Sequence, residues 1–252
     1  MSRVRSIASI LYALAALGVV QPSMAAELVV SAASSLTNAF REIGTAFEKA
    51  HPGDKVVFNF AASDVLLSQI ARGAPADVFA AADQEAMDKA AAQGLIDVPT
   101  RFDFARNRLV VVVPAGKSVP ASLSQLIDPV FKQIALGNPT GVPVGRYAKA
   151  ALEDAGLWLT LAPRFIPTQN VRQALDYVAR SECDAGFVYA TDATLMPDKV
   201  TIAFEVPTKT PVTYPIAVVR STSLAPLARE FVAWVRAPAA QTVLARYGFG
   251  NL

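Results

Sequence analysis

One histidine, one cysteine and no net excess of either charge outside the first residues are notable shortages in a chain of 252 residues, and each excludes a class of chemistry. With His51 the only imidazole, a Ser-His-Asp or Cys-His arrangement would have to use it. His51 lies in the turn Lys49-Ala50-His51-Pro52-Gly53-Asp54, and no pattern brings it to a serine. Zinc clusters of His and Cys are excluded by count. Cys183 has no partner for an internal disulfide and reads as packing between a helix and a strand. Walker and dinucleotide glycine motifs are absent. No pair of carboxylates is marked by its setting for acid–base work. The chain is therefore not read as an enzyme, and no cofactor or bare metal ion is expected.

Long apolar runs are also scarce. The one at the N-terminus reads as an export signal: Arg3 and Arg5 are basic, Ile7 to Val20 are apolar, and Ser23-Met24-Ala25 fits a small-x-small cleavage site. Residues 1–25 are expected to be removed by cleavage after Ala25, and the rest to be exported as a freely soluble periplasmic monomer. No later run is long enough to span a bilayer, and no cysteine stands near the cleavage point to carry a lipid. The signal holds two of the 23 Lys+Arg and none of the 21 Asp+Glu, so the remainder balances at 21 against 21. Nothing there marks a nucleic acid or an anionic membrane as partner.

What is present is alternation of strand and helix. Leu28–Val30 reads as a buried strand, Ala32–Ser35 as a small-residue turn, and Leu36, Phe40, Ile43 and Phe47 recur at helical spacing. Lys55–Phe60 is a second strand, running into Ala61-Ala62-Ser63-Asp64 and a helix stopped by Gly73. Asp77–Ala81 is a third, after which Asp83 caps a helix that ends at Gly94. The apolar run at Arg108–Val113 is a strong strand, and the loop with Gly116, Ser118 and Pro120 is a candidate passage into a second lobe. There the pattern repeats. A strand at Gln133–Leu136 and a turn at 137–143 precede a helix that faces Val144, Tyr147, Ala148, Ala151 and Leu152 inward. Asn170 caps a helix with Val171, Ala174, Leu175 and Val178 inward, and Ala185–Tyr189 is a strand. In Val212–Val219, Pro215 argues for an edge or crossing segment rather than a central strand. Helices at 223–236 and 238–247 close the chain. This alternation is the signature of a mainly parallel α/β sheet.

Four helix starts are flanked by small neutral donors: Ser34/Ser35, Ser63, Val144 after Pro143, and Val171 after Asn170. Free amides and the positive end of the macrodipole make a helix start a natural anion site. Tyr189, at the end of an apolar strand, can add a phenol hydroxyl. In open α/β sheets ligands bind at the carboxyl ends of the strands, where all of these lie.

The segments A-S-S-L-T-N-A-F (33–40), F-A-A-S-D-V-L (60–66), R-G-A-P-A-D-V-F-A-A-A-D (72–83), G-N-P-T-G-V-P-V-G-R-Y-A-K (137–149), N-V-R-Q-A-L (170–175), G-F-V-Y-A-T-D-A (186–193) and A-R-Y-G-F (245–249) resemble the periplasmic molybdate-binding proteins of ABC transporters. The resemblance covers essentially the whole chain after the signal. It implies a two-lobe, type II periplasmic binding protein, each lobe a mixed, mainly parallel sheet flanked by helices. The lobes would be residues 26–107 with 219–252, and residues 108–218, hinged by crossovers near Arg108 and Pro215. It implies capture of molybdate, and of tungstate, for delivery to a membrane permease and ATPase. The oxyanion would be held by the hydroxyls of Ser35 and Ser63, the amides of Val144 and Val171, and Tyr189. Asp64 stands where serine is common in the family and is expected to point away from the anion. Arg146 and Arg172 neighbour the binding amides, but a neutral site leaves them outside it as exposed charges. The alternatives are a protein of this fold that binds sulfate, phosphate or an organic acid, a regulator's effector domain, and a secreted hydrolase.

Overall fold

The computed structural model describes Ala26–Leu252; the expected signal peptide lies outside the described residues. The first lobe begins with β1 (Glu27–Ala33), α1 (Thr37–Ala50), β2 (Lys55–Ala61), α2 (Ser63–Ala71), β3 (Val78–Ala80), α3 (Gln84–Ala92) and β4 (Phe102–Asn107). The second holds β5 (Leu109–Pro114), β6 (Ile134–Gly137), α4 (Pro143–Asp154), the short α5 (Trp158–Leu161), β7 (Phe165–Thr168), α6 (Val171–Ala179), β8 (Ala185–Tyr189), the short α7 (Ala190–Ala193) and β9 (Val200–Glu205). The chain then returns through β10 (Val212–Val218), α8 (Ala225–Arg236) and α9 (Pro238–Arg246).

Two five-stranded sheets result, in the orders β2-β1-β3-β10-β4 and β7-β6-β8-β5-β9. In the first, β2, β1 and β3 are parallel and β10 runs against both of its neighbours. In the second, β7, β6 and β8 are parallel and β5 runs against both of its neighbours. Each lobe thus has three parallel strands, an antiparallel strand beside a crossover, and an edge. Parallel strands need helical connections, which cover the sheet faces and bury continuous apolar runs such as Leu109–Val113.

The helices follow their apolar stripes. Phe40, Ile43 and Phe47 of α1 are buried, and Phe231 of α8 meets Phe47 edge-on at 5.2 Å between ring centroids. Phe40 in turn lies 5.6 Å from Phe104 of β4. Full burial of each such side chain is worth about 1.5–3 kcal/mol. The aromatic contacts tie the end of the chain to its beginning.

Three expectations change. Val212–Val218 is an interior strand of the first sheet, between β3 and β4, so the return to the first lobe comes before Val212 rather than at 219. Pro215 is tolerated there because the register shifts between Tyr214 and Pro215, where a ladder N–H is not required, while its carbonyl accepts from the amide of Ala81 at 2.9 Å. The loop at Gly116 is not the passage between lobes, since β5 already pairs within the second sheet; the chain crosses at Arg108 and again within residues 206–211.

Candidate functional site

Each site element follows the end of a parallel strand. β1 runs into a 3-10 turn, Ser34–Leu36, ahead of α1; β2 runs into α2, β6 into α4, and β7 into α6. Ser35 and Ser63 therefore occupy positions in the first lobe that correspond to Val144 and Val171 in the second. All four, with Tyr189 at the end of β8, line one cavity together with Ser34, Ala82 and Pro143. The five predicted residues are 3%, 0%, 1%, 3% and 1% exposed in the order Ser35, Ser63, Val144, Val171, Tyr189. An interlobe cleft closed this tightly excludes bulk water from whatever it holds.

The first amides of a helix have no partner within it. Side chains satisfy one such amide in each of two helices: Asp83 accepts from the Ala86 amide at the start of α3, and Asn170 from the Gln173 amide in α6, whose Val171 lines the cavity. At the other three helix starts around the cavity no side chain caps. The N-cap residues of α2 and α4 are Ala62 and Val142, which carry no acceptor, and Pro143 at the first position of α4 has no N–H to satisfy. The turn at Ser34 likewise starts from Ala33 with no side-chain cap. Uncapped helix starts carry partial positive charge, and these three border the enclosed space.

Geometry explains how α4 comes so close. A Cβ on Gly145 would stand 1.8 Å from the carbonyl oxygen of Gly137, so only glycine lets the start of α4 lie against the end of β6.

The hydroxyls are oriented by their surroundings. Ser63 Oγ accepts from the Ala82 amide at 3.0 Å, and Ser35 Oγ lies 3.0 Å from the Tyr214 hydroxyl. The Tyr189 hydroxyl makes only a long bond, 3.5 Å, to the Ala82 carbonyl, and burial raises its pKa well above the ordinary value, so it stays a neutral donor.

Among the described residues no charged side chain lines the cavity. The nearby arginines are committed elsewhere, as expected, but they are not exposed charges. Arg146 donates from Nε to Asp83 Oδ2 at 2.7 Å and from a terminal nitrogen to Asp64 Oδ2 at 2.7 Å. Asp64 also accepts from Lys89 at 3.0 Å, so its carboxylate points to cations and away from the cavity, as the sequence predicts. Arg172 Nε sits 2.6 Å from Asp192 Oδ1, an ion pair by distance, and its terminal nitrogens reach the Ser35 carbonyl and Asn38 across the cleft. The third parallel strand of each lobe thus precedes a buried aspartate, Asp83 or Asp192, matched to an arginine. Burial raises both carboxyls above their ordinary range, opposed by Arg146 in one case and Arg172 in the other; that of Asp192 is pushed up to about 6. Sequence reasoning found the cavity residues and missed these cross-cleft bonds, as well as the Tyr214 contact, because no local spacing encodes them.

The arrangement offers neutral donors converging on a cavity of about 10 Å³. That is about the room of one water-sized sphere, so the space suits a ligand of a few atoms and not a drug-sized organic one. Among the described residues no group of His, Cys, Asp and Glu could hold a metal ion, and no helix is long and apolar enough to cross a membrane.

The chain is 39% identical over 231 residues to the molybdate-binding protein ModA of Escherichia coli (strain K12), covering 88% of each chain. It is 34% identical over 229 residues to ModA of Haemophilus influenzae, covering 89% of this chain and 90% of that one. The solved periplasmic molybdate-binding protein of Azotobacter vinelandii superposes with a TM-score of 0.78 at 25% identity, over 88% of this chain and 98% of that one. Residues 28–250 match the bacterial extracellular solute-binding protein family, and to that family the chain belongs.

Proposed function

We propose that this protein captures molybdate, and tungstate with it, in the periplasm and delivers it to the permease and ATPase of an ABC importer. The observation that carries the reading is the closed cavity whose lining supplies hydroxyl and amide donors and no charge. Similarity to proteins named molybdate-binding supports the choice of anion. In this reading the Ser35, Ser63 and Tyr189 hydroxyls and the Val144 and Val171 amides hold the oxyanion. The lobes are residues 26–107 with 212–252, and 108–211, moving about the two crossovers. Because donors come from both lobes, the ligand favours the closed form by binding it better than the open one. The protein works as a monomer and performs no reaction; the cation-free cavity and single histidine favour capture over hydrolysis.

A thermal-shift panel of oxyanions on the protein from Ala26 onward tests this. Ligand at about a thousand times its Kd adds roughly 4 kcal/mol to the native state. Molybdate and tungstate at micromolar levels should raise Tm, and equal sulfate and phosphate should not. A matching rise with sulfate or phosphate would overturn the specificity.

A further inference from the structure

Ser35 does not stand alone behind the cavity. Its Oγ is 3.0 Å from the Tyr214 hydroxyl in β10, and that hydroxyl is 3.1 Å from Nδ2 of Asn107, the last residue of β4. The same Nδ2 reaches Thr191 Oγ1 at 2.8 Å in the second lobe. The direction of the bonds is read from the far end of this chain. Asn107 Oδ1 accepts from the Arg108 amide at 2.9 Å, and a backbone N–H can only donate, so the other amide atom of Asn107 is the NH₂. The NH₂ can only donate, and it donates to Tyr214. The single phenol proton of Tyr214 is then directed to Ser35, whose oxygen accepts it. That leaves the Ser35 proton for the cavity.

Ser63 reaches the same state by a shorter route, since the backbone amide of Ala82 donates to it. Both serines are therefore backed by donors and present donors. The difference is that Ser63 is backed by main chain, which no substitution can reverse, and Ser35 by two side chains of the first lobe, Tyr214 and Asn107. Tyr214 is fully buried, and T-shaped contacts with Tyr189 at 5.9 Å and Phe249 at 5.4 Å hold the ring in place.

Resting on the proposed oxyanion site, we infer that Asn107 and Tyr214 are positioning residues: they fix the Ser35 hydroxyl as a donor into the cavity, with Asn107 setting the direction. Neither touches the anion. An acceptor at position 107 reverses the chain: Tyr214 donates to it, Ser35 must donate to Tyr214, and a lone pair replaces a proton in front of the ligand.

The test is a double-mutant cycle on molybdate affinity, by calorimetry at mildly alkaline pH, with the ligand-free melting temperature as a check on folding. Asn107→Asp should weaken binding by about a hundredfold, the scale of a lost bond to a charged group. Tyr214→Phe alone should cost under about tenfold, because Ser35 keeps its proton free. In the Tyr214→Phe background, Asn107→Asp should add less than about fivefold, because the path to Ser35 is cut. A simple charge or packing effect of the new carboxylate would appear equally in both backgrounds and overturn the inference, as would unchanged affinity in Asn107→Asp. If that variant does not fold, Asn107→Leu removes the donor without adding charge; its smaller loss should likewise vanish beside Tyr214→Phe, and persistence of the loss overturns the inference. Wild-type protein that binds no molybdate would instead sink the proposed function, and this inference with it.

Discussion

Arg146 of α4 and Asp83 at the start of α3 meet across the cleft, with Nε 2.7 Å from Oδ2. Their side chains are 14% and 6% exposed, and Asp64, the second acceptor, is 15% exposed. Two carboxylates of the first lobe thus share a guanidinium of the second. The pairing exists only while the lobes are together, so its removal should act on closure rather than on the folding of either lobe.

Arg146→Ala should accordingly weaken molybdate binding by about 2–4 kcal/mol, between a charged hydrogen bond and a broken buried pair. In an open form Asp64 and Asp83 regain water, so the ligand-free melting temperature should change little. Small-angle scattering on the variant should show a larger radius of gyration than wild type at equal ligand. Affinity within threefold of wild type would mean that the bridge does not hold the lobes together.

Tyr189→Phe, Ser35→Ala and Ser63→Ala should each lose about 1.5–3 kcal/mol of molybdate affinity, the scale of a neutral donor facing a charged acceptor. None should unfold the protein. Because the donors are buried and uncharged, titrations at low and high ionic strength should agree closely. Unchanged affinity in all three variants would remove the hydroxyls from the site.

Asp192 gives a pH dependence. Its carboxyl is raised by burial from 3.8 to about 6, so the folded protein holds this proton more tightly than the unfolded chain does. The resulting contribution to stability is complete below about pH 4 and is lost as pH rises through 6, up to about 3 kcal/mol at 1.36 kcal/mol per pH unit. Denaturation of wild type and Asp192→Asn across this range should show the difference in stability moving against wild type up to pH 6 and flat above it. A constant difference would place the carboxyl in its ordinary range.

Gly145→Ala should be among the more damaging single-methyl changes. The new Cβ meets a backbone oxygen, not the flexible end of a side chain, so α4 must move off β6. A loss of about 1–3 kcal/mol of stability follows from overpacking, and molybdate affinity should fall as well because the Val144 amide moves with the helix. Retention of full affinity at wild-type melting temperature would show that the helix start has room to shift.

Interior strands and helix starts were legible in the sequence because each carries a local signal. Leu109–Val113 is a continuous apolar run, and α1 and α6 show clear helical stripes. The strands not anticipated, β4, β7 and β9, all lie at sheet edges, where one side faces solvent and the sequence (FDFARN, FIPT, VTIAFE) mixes polar and apolar residues. Pro215 misled because a proline normally marks an edge, and the bulge that accommodates it is a property of two strands rather than one. The cavity residues were legible for the same reason as the strands: each follows directly on a strand end. Arg146–Asp83 and Ser35–Tyr214 join residues 63 and 179 positions apart, and nothing local to either partner encodes the meeting.

The placement of β10 bears on the order in which the molecule can be made. All five strands of the second sheet lie between Leu109 and Glu205, in one uninterrupted stretch. β4 of the first sheet has only β10 as a strand neighbour, and β10 begins at Val212. A chain emerging N-terminus first can therefore complete the inserted lobe while the lobe that receives it still lacks an interior strand. Pulse-labelled hydrogen exchange during refolding should find β5, β6 and β8 protected before β4, and simultaneous protection would mean that the two lobes fold as one unit. Tyr214 arrives on that late strand, so Ser35 gains its backing only in the last step of assembly.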